Sequence, residues 1–89
     1  MTRRDVRITN RLGLHARAAA RFVHTANRFR ARISAGRDGR VMDGKSILGI
    51  LLLAATQGAV LTLEAEGEDE EEALDVLVRL VESGFGEDA

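Results

Sequence analysis

Apolar residues in this chain switch repeatedly between a spacing of two and a spacing of three to four, and that alternation limits the fold more than any other feature. Val6 and Ile8 alternate with Arg7 and Thr9, as in a half-buried strand. Ala19, Phe22, Val23 and Ala26 recur at i, i+3, i+4 and i+7, the stripe of an amphipathic helix. Ala31, Ile33 and Ala35 return to alternation, and the turn signal Gly36-Arg37-Asp38-Gly39 leads into a brief strand around Arg40 to Met42. Ser46 to Ala55 reads as a second helix with Ser46 as its N-cap. Leu61, Leu63 and Ala65 alternate with Thr62, Glu64 and Glu66. Ala73, Val76, Leu77 and Leu80 then form a third helical stripe. Asp69 and Glu72 have capping-box spacing, and Gly84 suits the stop. The order β-α-β-β-α-β-α in 89 residues predicts one domain, residues 1-89, built as a two-layer α+β sandwich.

The residue inventory excludes several functions. There is no cysteine, hence no disulfide or thiolate, and His15 and His24 are too few to hold zinc by themselves. No metal or cofactor is expected. The longest apolar run, Ile47 to Ala55, is too short to span a bilayer, and no secretory pattern opens the chain, so a cytoplasmic location without membrane insertion is expected. Charge is uneven: residues 1–45 hold 12 Lys and Arg against 3 Asp and Glu, and residues 46–89 hold 1 against 11. That asymmetry raises nucleic-acid binding. The chain has no Tyr or Trp on which to stack bases and no continuous basic run, and one compact domain intermixes its halves, so no nucleic-acid partner is expected.

His15 is the residue with chemistry in its surroundings. It follows Gly13, which permits close backbone approach, and it precedes a helix whose first N–H groups, those of Ala16, Arg17 and Ala18, are candidate anion donors. Arg17 adds a planar cation suited to phosphate oxygens. A neutral imidazole there can attack phosphorus and hold a phosphoryl group covalently. His24, beside the apolar stripe and without an acidic neighbour, reads as an ordinary helix residue. Gly39 to Ser46 satisfies the spacing of a nucleotide-binding P-loop, but Arg40 to Met42 reads as strand where the loop should wrap, and Asp43 would set a carboxylate against the phosphates. Nucleotide binding is therefore only a remote alternative.

Asn10-Arg-Leu-Gly-Leu-His-Ala-Arg17 resembles the active-site segment of the HPr family, the histidine phosphocarriers of the bacterial phosphotransferase system. Gly44-Lys-Ser-Ile-Leu-Gly49 resembles that family's regulatory serine segment, and the element order matches over nearly the whole chain. The resemblance implies an open-faced sandwich, with a four-stranded antiparallel sheet and three helices on one face. It also implies a phosphocarrier and no enzyme: His15 takes a phosphoryl group, through Nδ1, from a phosphoenolpyruvate-dependent donor protein and passes it to an acceptor protein, and Arg17 stabilises it. Ser46 is implied as a target of a serine kinase or phosphorylase. Ile47, Leu48 and Leu51 are implied as a docking patch, with Arg17 and Arg21 as its polar rim. A monomer is expected. The family usually has proline where this chain has Ala18, a change that bears on partner recognition more than on the chemistry. The ending Glu82 to Asp88 is similar to the nitrogen-related branch and Gly44-Lys45-Ser46 to the sugar-transport branch. A mainly regulatory protein, read through Ser46, is the alternative.

Overall fold

The computed structural model describes residues 1–87. Strands β1 (Thr2–Arg7), β2 (Arg32–Arg37), β3 (Arg40–Asp43) and β4 (Val60–Glu66) alternate with helices α1 (Ala16–Ala26), α2 (Ile47–Leu52) and α3 (Glu70–Glu82), and a tight turn at Gly84–Gly86 follows. The strands form one sheet in the order β1-β4-β2-β3, every neighbouring pair antiparallel. The two central strands, β4 and β2, pair with Ala35 opposite Leu63 and Ile33 opposite Ala65.

The expected alternation sets the layers. Leu61, Leu63 and Ala65 point inward and are buried, as are Ile33 and Ala35, and the helices cover that face. Ala18, Ala19, Phe22, Val23 and Ala26 of α1 meet Ala73, Leu74, Leu77 and Val81 of α3 over this surface. The α3 stripe is thus rotated from the expected one. Val76 and Leu80 lie half-buried at its flank, because Leu74 and Val81 take the central positions.

Two other local expectations change. Helix α2 ends at Leu52 instead of continuing to Ala55, and Ala54 takes a left-handed φ of 48°. Arg37 donates to the carbonyls of Leu53 and Ala54 at 3.0 and 2.9 Å, and Arg40 donates to Leu52 at 3.0 Å. Cations at the negative end of a helix are favourable, and here they also satisfy its orphan carbonyls. Asp69 precedes α3 as expected but does not form the capping box. Its carboxylate accepts from the backbone N–H groups of Arg30 and Ala31 at 2.9 and 2.8 Å, joining the start of α3 to the start of β2. Those hydrogen bonds, the Arg30 one first, hold the Asp69 carboxyl below its ordinary value against the opposing effect of burial.

Glu70 makes a similar clamp. It accepts from the Thr2 hydroxyl at 2.6 Å and the Gly67 N–H at 3.1 Å, and lies 3.1 Å from the N-terminal ammonium. The Thr2 bond, then the Gly67 bond, then the ammonium bring its carboxyl from 4.5 down to about 2. A carboxyl depressed in the folded state stabilises the fold fully above its unfolded pKa and loses that contribution as pH falls through the folded value. The urea midpoint is therefore expected to drop as pH falls from 4.5 to about 2, and less steeply in Glu70→Gln. An identical slope in the variant would show that the clamp carries none of the acid sensitivity.

Candidate functional site

The segment between β1 and α1 is held by its own backbone and by the chain after α2. The Gly13 N–H donates to Asn10 O at 3.2 Å, the His15 N–H to Gly13 O at 2.9 Å, and the Leu14 N–H to Ala55 O at 2.9 Å. Gly13 has φ +64°, and a Cβ there would lie 2.5 Å from Ala55 O and 3.0 Å from Thr56 Cα. Only glycine fits this crossing. Leu14 is buried behind it, and His15 becomes the N-cap of α1 with φ −78° and ψ 179°.

As N-cap, His15 offers its carbonyl to the Ala19 N–H at 2.9 Å, and its ring makes no capping bond. The N–H groups of Ala16, Arg17 and Ala18 find no acceptor among the described residues. Ala16 and Arg17 are exposed, whereas Ala18 is fully buried. Ala18, the third expected donor, is buried with the core stripe of α1. The Arg17 side chain enters no ion pair among the described residues. His15 thus stands at the positive end of an 11-residue helix, followed directly by the exposed Ala16 and Arg17, whose N–H groups have no acceptor among the described residues.

The other side of the ring is occupied. His15 Nε2 meets Glu87 Oε2 in a short contact, and no partner reaches Nδ1 among the described residues. Asn10 Nδ2 bridges Gly13 O and Glu87 Oε1, both at 2.9 Å. Arg21 donates to Phe85 O, so the expected rim residue is committed to the C-terminal segment. Burial pushes the Glu87 carboxyl upward. Hydrogen bonds from Asn10 and His15 and the positive charges of His15 and Arg21 outweigh it, leaving the carboxyl below its ordinary value. Glu87 and Asn10 were not foreseen as site residues. No local motif marks an acid 72 residues from its partner.

Ser46 caps α2 as expected, its hydroxyl accepting from the Gly49 N–H at 3.0 Å. Ile47, Leu48 and Leu52 are 43%, 67% and 50% exposed, while Ile50 is buried and Leu51 half-buried against the core. The exposed arc thus contains Leu52 and only part of Leu51. Leu12, 63% exposed, adds an apolar residue from the His15 loop. His24 is exposed in the last turn of α1. The P-loop alternative fails on geometry. Gly39 sits in the β2–β3 turn, 40–43 is strand, and Lys45 Nζ donates to Phe29 O at 2.6 Å, away from any phosphate-wrapping loop. Among the described residues no three His, Asp or Glu gather to hold a metal, and no helix is long and apolar enough to cross a membrane.

The family model for the PTS HPr component phosphorylation site matches residues 2–83. The chain belongs to the HPr family. It is 47% identical over 87 residues to the phosphocarrier protein HPr of Cupriavidus necator, covering 98% of each chain. It superposes on the crystal structure of HPr-C-His from Thermoanaerobacter tengcongensis with TM-score 0.96 and 48% identity, covering all of both chains. A likeness also extends to the HPr-like protein Crh of Halalkalibacterium halodurans, 42% identical over 82 residues, 92% of this chain and 98% of that one. The four-stranded antiparallel sheet with three helices is thus the HPr open-faced sandwich.

The Gly13 crossing gives this HPr-family site its shape. Gly13→Ala adds a Cβ with no room at a positive φ, and is expected to destabilise the fold by about 2 kcal/mol. Urea denaturation checks this, and a wild-type midpoint would show that the loop can shift away from Ala55.

Proposed function

We propose that His15 is the residue on which this chain carries a phosphoryl group. The chain is a phosphocarrier of the phosphotransferase system, a protein relay and not an enzyme with its own small-molecule substrate. The observation that supports His15 is an imidazole whose Nδ1 has no partner among the described residues, at the N-terminus of α1, with exposed Ala16 and Arg17 next in the chain. In transfer, the Nδ1 lone pair forms a bond to phosphorus while the donor's bond to phosphorus breaks, and the electron pair of that bond leaves with the donor. The backbone dipole and Arg17 stabilise the planar, charge-spread PO₃ in flight. Exposure of the site keeps the adduct from being overheld. A carrier must release its load.

The donor on this reading is a phosphoenolpyruvate-dependent protein, and the acceptor is another protein of the same system, both working in the cytoplasm. Ile47, Leu48 and Leu52, with Leu12 and the edge of Leu51, form an apolar surface beside a basic rim that Arg17 dominates. Such a surface suits a partner with an apolar cleft and acidic border. Ser46 caps the helix that carries the apolar arc. A phosphate on its hydroxyl would place about −1.5 to −2 charges beside the apolar arc and repel that acidic border, leaving the fold intact. The likeness to Crh keeps a regulatory use of Ser46 in view, and the intact His15 site favours the carrier role.

Incubation with the donor protein and phosphoenolpyruvate is expected to give an acid-labile label that His15→Ala abolishes and His24→Ala leaves unchanged. Arg17→Ala is expected to slow transfer about 100-fold. Acid-stable label on Ser46 alone would overturn the carrier assignment in favour of regulation. Separately, Leu48→Glu should raise the KM for the phosphorylated donor about tenfold with stability unchanged, measured by initial transfer rates against donor concentration. An unaltered KM would remove Leu48 from the docking surface.

A further inference from the structure

The C-terminal segment is built to bring one carboxylate onto the histidine. After α3 ends at Glu82 with Ser83 as its C-cap, Gly84, Phe85 and Gly86 all take left-handed conformations, with φ of 69°, 58° and 75°. For phenylalanine that conformation is unfavourable. Phe85 is fully buried, and burial of so large an apolar side chain offsets the cost. The phenyl anchor, the Arg21 bond to Phe85 O and the Asn10 bond to Glu87 Oε1 then leave Oε2 at His15 Nε2. The acid is three-quarters or more covered, with 13% of its side chain exposed, so the contact is not a surface ion pair of passing kind. The positive group that acts on it besides His15 is Arg21 of α1.

We propose that Glu87 is a positioning residue for phosphoryl transfer, holding the His15 proton on Nε2 so that Nδ1 carries the lone pair. A carboxylate accepts and cannot donate, so it selects the Nε2–H form of the ring and fixes the ring plane. The inference rests on the reading that His15 is the acceptor. As the Nδ1–P bond forms and the donor's bond breaks, Nε2 keeps its proton and no proton has to leave. The positive charge left on the ring faces the Glu87 carboxylate. On release the N–P electron pair returns to the ring, and that step is easier from a ring protonated at Nε2. Glu87 therefore keeps the group transferable as well as aiming it.

The test begins with the unphosphorylated full chain labelled with 15N-histidine, and needs no phosphotransfer. A proton resonance coupled to His15 Nε2 is expected in the wild type and should exchange into bulk water too fast to observe in Glu87→Ala and Glu87→Gln. A proton on Nδ1 in the wild type, or an Nε2 proton equally protected in both variants, would overturn the proposal. The second readout is spontaneous hydrolysis of the phosphorylated protein at pH 8, expected about tenfold slower in both variants, the worth of a charge-assisted hydrogen bond. Unchanged lifetimes would contradict it. Absence of label on His15 in the wild type would sink the carrier reading instead, and the Nε2 result would stand by itself.

Discussion

Everything at the functional end of the molecule depends on one backbone crossing, where Gly13 lies against Ala55 and the Leu14 N–H meets Ala55 O at 2.9 Å. Leu14 and Ala55, 41 apart in sequence, are joined there by a main-chain hydrogen bond. The crossing sets where α1 begins, so it makes His15 the N-cap and leaves the N–H groups of exposed Ala16 and Arg17 without an acceptor among the described residues. It also fixes the end of α2, whose last carbonyls are taken by Arg37 and Arg40. His15 and the exposed apolar residues of α2 are thereby tied to one backbone crossing. Their relation is rigid because backbone contacts have no rotamers to lose.

The sheet and helices were legible because each buries one face, and period two or 3.6 follows directly from that. β4 shows why: Leu61, Leu63 and Ala65 are inward with no exception. The sequence erred where tertiary partners decide. Helix α2 was overextended because Leu53 to Ala55 are apolar, and apolarity cannot reveal that their carbonyls are needed by arginines from β2 and β3. Asp69 has the spacing of a cap, but its carboxylate found two backbone donors on another element. Ala18, expected as a first-turn donor, is also a core residue of α1.

The site divided in the same way. His15, Arg17 and Ser46 stand in contiguous motifs, and their residue types carry their chemistry. Glu87 and Asn10 do not, since their meeting requires α3 to end at Glu82 with Ser83 as its C-cap and the following three residues to coil left-handedly. Gly84 and Gly86 were visible as turn residues, yet nothing local says where the turn delivers the next acid. The charge asymmetry between halves resolves similarly. Several arginines that suggested a basic footprint are used inside the fold, Arg37 and Arg40 on α2, Arg4 on Asp75 and Arg21 on the C-terminal turn.

A phosphoryl carrier works by compromise, stabilising the group in flight more than at rest. On the proposed reading the stabilising groups are few and sit on exposed residues, Ala16 and Arg17, and the orienting groups Asn10 and Glu87 are covered and multiply bonded. The most direct measurement is the one-bond 31P–15N coupling in 15N-histidine-labelled protein charged by its donor. The account requires a single coupling, at Nδ1 of His15. Coupling at Nε2, coupling at His24, or phosphate found on no histidine would contradict it.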